Sequence, residues 1–148
     1  MEAPDLNSMD QGLLYRVKRA ARHIGEQHAH IGEIFRTLES AIARGDAAAA
    51  RQGFERYSGA IDAHFSLEDR VFFPALHGLH PEHAKALEDL TEEHRGFLAE
   101  LDRLGRELDA GLERFGAGLA AIALELSVHE SREERLVREL GTRPPATA

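Results

Sequence analysis

Two histidines in this chain are each followed, four residues later, by a glutamate: His64 and Glu68 in "AHFSLEDRVFFPAL" (63–76), and His129 and Glu133 in "VHESREERLVREL" (128–140). On a helix such a pair shares one face, separated by about 6 Å along the axis, so both side chains can reach one metal ion or a pair of ions. A chain with nine histidines and many glutamates should contain about one His-x-x-x-Glu by chance. The register of two further histidines gives the pairs their weight. Laying "EQHAHIGEIFRTL" (26–38) under "EEHRGFLAELDRL" (92–104) aligns His28 with His94, Ile31 with Phe97, Phe35 with Leu101 and Leu38 with Leu104. The same operation brings His64 and Glu68 onto His129 and Glu133. The chain therefore carries an internal repeat of a helix pair, each copy contributing His … His-x-x-x-Glu.

All six residues fall within apolar stripes, where an isolated ionisable group costs several kcal/mol unless it is paired or metal-bound. Four imidazoles and two carboxylates suit a dinuclear centre, each ion taking the two histidines of one repeat and both glutamates bridging. A solvent-derived bridge brings the count to five ligands per ion. One position on each then stays open for a small molecule such as dioxygen, peroxide or nitric oxide, which reactive sites require and structural sites do not. With no cysteine in the chain, the donors are nitrogen and oxygen only. That excludes zinc-thiolate and iron–sulfur sites and favours iron in a helical bundle, with zinc or manganese compatible with the ligand types.

The elements that must position these residues are helical. Ala, Leu, Glu and Arg abound, β-branched and aromatic residues are sparse, and apolar residues recur at three-four spacing. A first helix starts near Asn7 or Ser8 as N-cap, runs through Leu13, Leu14, Val17, Ala20, Ile24, His28, Ile31, Phe35, Leu38 and Ile42, and stops at Gly45. A second, capped by Asp46, carries Phe54, Tyr57, Ile61, His64, Glu68, Val71 and Phe72, with Pro74 bending or ending it. "HGLHPEH" reads as a connection broken at Gly78, with Pro81 in the first turn of a third helix through Leu87, Leu90, His94, Phe97, Leu101, Leu104 and Leu108, closed by Gly111. A fourth runs from about Glu113 to Leu140 through Leu119, Ile122, Leu126, His129, Glu133, Leu136 and Val137. Four long helices with short loops predict an all-α, up-down-up-down antiparallel four-helix bundle over residues 9–140, with an N-terminal extension at 1–8 and a disordered tail at 141–148.

The length of 148 residues suits one domain. A formal charge of −8 argues against nucleic acid or anionic membrane as partners, since both need a basic surface. The opening "MEAPDLNSMDQG" has neither a basic nor an apolar leader region, so a soluble, cytoplasmic protein is expected.

With these residues in place, the chain resembles the hemerythrin-like, or HHE cation-binding, domain family over roughly residues 10 to 140. "HFSLEDRVFFPAL" is similar to that family's second-helix motif, followed by the "EEH" of the third helix and the "HESREERL" of the fourth. The resemblance implies an oxo- or hydroxo-bridged di-iron centre held by His28, His64, Glu68, His94, His129 and Glu133. Oxygen-carrying hemerythrins have a His-x-x-x-His pair on the third helix, whereas Leu90 stands four residues before His94 here. The fourth-helix carboxylate also follows its histidine by four residues rather than five. Both differences make the chain more similar to the bacterial hemerythrin-like proteins, and to family members involved in iron sensing or iron-centre repair, than to the oxygen carriers. Two functions follow: peroxide decomposition or oxidase chemistry, or the sensing of oxygen, nitric oxide or iron and iron storage without turnover.

Other residues have blander readings. His30 points about 200° away from His28, and His23 is off the stripe; both are expected at the surface. His77, His80 and His83 lie around Pro81, where loop histidines are usually solvated. Glu125, one turn before His129, is a candidate third carboxylate or acceptor for a ligand imidazole, with a partly exposed ion pair as the alternative. Tyr57, two turns before His64, is a candidate hydrogen-bond donor to the centre, although its spacing suits the core. Phe72, one turn after Glu68, can only wall the pocket and exclude water.

Overall fold

The computed structural model describes residues 8–142. Helix α1 spans Ser8–Ala43, α2 Ala47–Leu67, α3 Phe73–Leu79, α4 Ala84–Glu107 and α5 Leu112–Thr142. A π-helical turn, Glu68–Phe72, joins α2 to α3 without interruption, so the five segments make four columns. The columns form an all-α four-helix bundle, with α1 packed along α2 and α4 along α5. Among the described residues no helix is long and apolar enough to cross a membrane.

The turns follow from local chemistry. Gly45 has φ 71°, the left-handed conformation that a glycine adopts at least cost after a helix. Asp46 then accepts a hydrogen bond from the Ala49 amide at 3.0 Å, a cap worth about 1 kcal/mol. The reversal between α1 and α2 is thus held by three residues. Pro81 opens a short 3-10 turn, Pro81–His83, before α4, and a second, Leu108–Ala110, precedes Gly111.

The second column departs from expectation at three residues. Pro74 does not end the helix. A proline ring clashes with the carbonyl four residues back, and the wider π-helical turn before it, in which the Phe73 amide reaches back to the Glu68 carbonyl, accommodates that conflict. The extra residue in this turn advances the apolar stripe by one place: Phe72, Phe73, Leu76 and Leu79 are buried, and Val71, expected inside, is exposed. Gly78 does not break the helix either. It lies within α3, where a Cβ would stand 2.7 Å from Leu13 Cδ1, so its smallness serves the approach of α1.

The core divides into two apolar clusters. One includes Ile31, Leu38, Phe54, Tyr57, Ile61, Phe65, Leu101, Phe115 and Leu126. The other includes Val17, Ile24, Phe72, Phe73, Leu76, Leu90 and Leu140. Every column passes from one cluster to the other, and on every column a His or Glu lies at the crossing: His28 between Ile24 and Ile31, His64 and Glu68 between Ile61 and Phe72, His94 between Leu90 and Leu101, His129 and Glu133 between Leu126 and Leu140. The helices thus place one polar layer across the middle of the bundle. The expected tail beyond residue 142, and Asn7 as a cap, lie outside the described residues; Gly141 and Thr142 continue α5.

Candidate metal centre

His64, Glu68, His94, His129 and Glu133 are buried at 3% exposure or less, and His28 is partly buried. Candidate ligand atoms gather into three overlapping groups: His28, His64 and Glu130; His64, Glu68 and Glu133; and His94, His129 and Glu133. All six residues singled out in the sequence belong to this one assembly. Glu68 Oε1 lies 3.0 Å from His64 Nε2 and 3.4 Å from His94 Nε2, so it stands between the two repeats. Glu133 Oε2 lies 3.3 Å from His129 Nε2 and 3.9 Å from His94 Nε2.

The imidazoles are oriented from behind. His64 Nδ1 faces Gln27 Oε1 at 3.1 Å, His94 Nδ1 faces Asp69 Oδ1 at 2.8 Å, and His129 Nδ1 faces Glu93 Oε2 at 2.5 Å. Each of these oxygens is an acceptor, so each Nδ1 carries the proton and donates, leaving a lone pair on Nε2. Asp69 also accepts from the Thr91 hydroxyl at 3.3 Å, and Glu93 from Arg132 at 2.6 Å. Acceptors behind ligand histidines fix the tautomer and raise the basicity of the facing nitrogen.

Those tautomers test the fit of a metal. His94 Nε2 and His129 Nε2 are 3.1 Å apart, and His28 Nε2 and His64 Nε2 are likewise 3.1 Å apart. In the first pair both atoms present lone pairs, which repel unless a cation lies between them. Two nitrogens each about 2.1 Å from one ion and about 90° apart lie about 3.0 Å from each other, close to this spacing. The carboxylates agree: both oxygens of Glu68 and Oε2 of Glu133 are buried and accept no hydrogen bond. Buried acceptors of this kind are rare in native proteins and cost about 1–3 kcal/mol each. The nitrogen and oxygen donors therefore fit metal cations.

The electrostatics keep the imidazoles ready to ligate. Burial pushes the pKa of His64 down to about 4 and that of His94 to about 3, the latter aided by its neighbours His129 and His64. His28 and His129 are also lowered, mainly by burial. Burial has the opposite effect on a carboxyl, raising Glu133 to about 8 with help from Glu134.

Aromatic rings close most of the layer. Phe65 stacks on His94 with ring centres 3.9 Å apart and planes 9° apart, Phe73 lies on the same imidazole at 5.7 Å, and Phe97 meets His129 edge-on at 5.3 Å. On the His28 side a pocket of about 310 Å³ reaches the centre, lined by Ala21, Ile24, Gly25, His28, Phe72, Glu133, Glu134, Val137 and Arg138. Phe72, buried in the core, is among the residues lining this pocket.

Several sequence readings change. Glu125 does not approach the centre: it is exposed, beside Glu100, Arg103 and Glu107, because Leu126 takes the inward place in that turn. Tyr57 belongs to the core, packed on Phe35, and burial with the nearby Glu130 carboxyl raises its pKa to about 12. His80 is buried rather than solvated; its amide bonds the Leu76 carbonyl and its Nδ1 faces Glu82 at 3.3 Å. His23, His30 and His77 are exposed.

Gln27, Asp69, Glu93 and Glu130 were missed in the sequence. For two of them the signal was present: the alignment of "EQH" with "EEH" puts Gln27 and Glu93 at the same place in the repeat, and each bonds Nδ1 of the histidine on the following helix.

The sequence pattern of the Hemerythrin HHE cation binding domain matches residues 19–140, most of the chain, and the chain belongs to that family. No curated protein and no solved structure matches it.

Proposed function

Starting from membership of this cation-binding family, we propose that the chain holds two iron ions in the polar layer and reacts there with a small oxidant, hydrogen peroxide first among dioxygen, peroxide and nitric oxide. The observation that carries the reading is the pair of Nε2 atoms, His94 and His129, facing each other at 3.1 Å while their Nδ1 protons are committed to Asp69 and Glu93. His28 and His64 would hold one ion, His94 and His129 the other, with Glu68 and Glu133 shared. Bound iron supplies reversible one-electron chemistry and an open position for a small ligand.

The remaining work falls to the protein. Asp69 and Glu93 fix the imidazoles and keep their Nδ1 protons in place through the reaction. Phe65, Phe73 and Phe97 exclude water from the His94 and His129 side, so bulk solvent and larger molecules do not reach it. The pocket beside His28 offers passage to a molecule of a few atoms, past the Ala21, Gly25 and Phe72 walls.

Metal content per chain, with the visible spectrum of the oxidised protein, tests the reading. Two irons with charge-transfer bands are expected. No metal after reconstitution with ferrous iron refutes it. Oxygen release from peroxide that disappears in His64→Ala supports turnover. Iron that changes its spectrum with oxygen or nitric oxide but leaves peroxide intact supports the alternative, a sensing or storage protein.

A further inference from the structure

The repeat that builds the centre breaks at several positions, and one break falls directly beside the ligands. Aligning His64 with His129 places Phe65 opposite Glu130. In one half Phe65 lies flat on His94, its ring centre 3.9 Å from the imidazole. In the other half the equivalent residue is a carboxylate: Glu130 Oε1 stands 3.9 Å from His28 Nε2, and His28, His64 and Glu130 offer ligand atoms within 4.8 Å of one another. Where one half seals its histidine with a ring, the other brings a hard anionic donor to it.

We infer that Glu130 is a protein ligand of the ion held by His28 and His64, so that the two metal positions are unequal. The inference rests on the dinuclear reading above and adds to it. Exposure agrees with the difference in donors. His28 and Glu130 side chains are 22% and 27% exposed, whereas those of His94 and His129 are each 1% exposed. The His94 and His129 position draws its anionic character from acceptors behind the rings, Asp69 and Glu93, and is closed by phenylalanine. The His28 and His64 position has the neutral Gln27 behind His64, and the carboxylate it lacks there comes from Glu130 in front. A carboxylate is a favourable donor for ferric iron, so the ion at this position is bound by an added oxygen ligand and borders the pocket that small molecules enter.

The test uses the full chain loaded with ⁵⁷Fe(II) without oxygen, in the wild type and in Glu130→Gln, which keeps the shape and removes the charge. Competition with a chelator of known affinity gives the dissociation constant of each ion, and Mössbauer spectra report each environment. The expected result is two unequal ions in the wild type, with one weakened about 10- to 100-fold in the variant and its quadrupole doublet shifted, while the other is unchanged. Both constants within threefold of the wild type, with both doublets unmoved, would overturn the inference and leave the dinuclear reading standing. Fewer than two ions in the wild type would overturn the dinuclear reading, and the role of Glu130 with it. A melting curve of the metal-free variant, superimposable on the wild type, shows that any loss is not unfolding; if Glu130→Gln does not fold, Glu130→Ala is put through the same competition.

Discussion

Replacing Glu68 by methionine should change stability in opposite directions with and without metal. Glu68 is fully buried, and neither carboxylate oxygen accepts a hydrogen bond. Its neighbours His64 Nε2 and His94 Nε2 present lone pairs, because their Nδ1 atoms donate to Gln27 and Asp69. In metal-free protein a buried carboxyl without hydrogen-bond partners costs the fold about 1–3 kcal/mol. Methionine is of similar length and lacks the polar atoms, so chelator-treated Glu68→Met should be more stable than chelator-treated wild type. At about 2–4 °C per kcal/mol for a domain of this size, its Tm rises by about 2–12 °C. With iron the order reverses. A ligand at a hundred times its Kd stabilises a fold by about 2.7 kcal/mol, and the variant, without a shared carboxylate, forgoes much of that gain. Scanning calorimetry of both proteins with chelator and with excess ferrous iron measures the four values. A metal-free Glu68→Met less stable than metal-free wild type would refute the reasoning, because Glu68 would then be anchored by protein partners rather than lacking them.

The same burial shapes the pH profile of the metal-free protein. His64 and His94 titrate at about 4 and about 3 when folded and near 6.5 when unfolded. Below pH 6.5 the unfolded chain therefore binds more protons and acid destabilises the fold, with His28 and His129 adding to the slope. Glu133 titrates at about 8 folded and 4.5 unfolded, so its contribution falls as pH rises between those values. Chemical denaturation of chelated protein should show a maximum near pH 6.5, falling by about 1.4 kcal/mol per pH unit per uncompensated proton on either side; a profile flat from 4.5 to 8 would contradict the assignment. Glu93→Gln and Asp69→Asn should each weaken metal binding about 10- to 100-fold with little change in metal-free melting, measured by chelator competition. Gly25 lines the pocket beside His28, and a Cβ there would meet nothing within 4 Å; Gly25→Leu should fill the mouth and slow reaction with peroxide in stopped flow without lowering iron content.

The bundle was legible because apolar residues recur at three-four spacing and because signals at Gly45 and Gly111 end the first and third columns. Asp46 after Gly45 caps α2 as its type and place require. The second column was less legible because two breakers, Pro74 and Gly78, act there through tertiary structure. Proline is tolerated by inserting a π-helical turn, which sequence periodicity does not encode, and that insertion turned Val71 outward. Gly78 is small because Leu13 of α1, more than sixty residues earlier, comes against it. Similarly, the buried state of His80 depends on the packing around the end of α3, and its polarity gave no hint of that.

At the centre, the repeat located residues that hold equivalent places and was silent about those that do not. His28 with His94, His64 with His129, and Glu68 with Glu133 obey it, and so do Gln27 and Glu93 behind them. Phe65 and Glu130 violate it, which is why a search for matching histidines and glutamates passed over Glu130 and turned instead to Glu125, whose place in its turn faces solvent. The violations are also where the two halves acquire different surroundings. A strictly repeated centre would give two ions in like environments with equal access. Here Phe65 and Phe73 cover His94, while His28, with Glu130 beside it, opens to a pocket. The helix pair common to both halves builds the polar layer, and the few residues that differ between them cover His94 with phenylalanine on one side and leave His28 beside a pocket on the other.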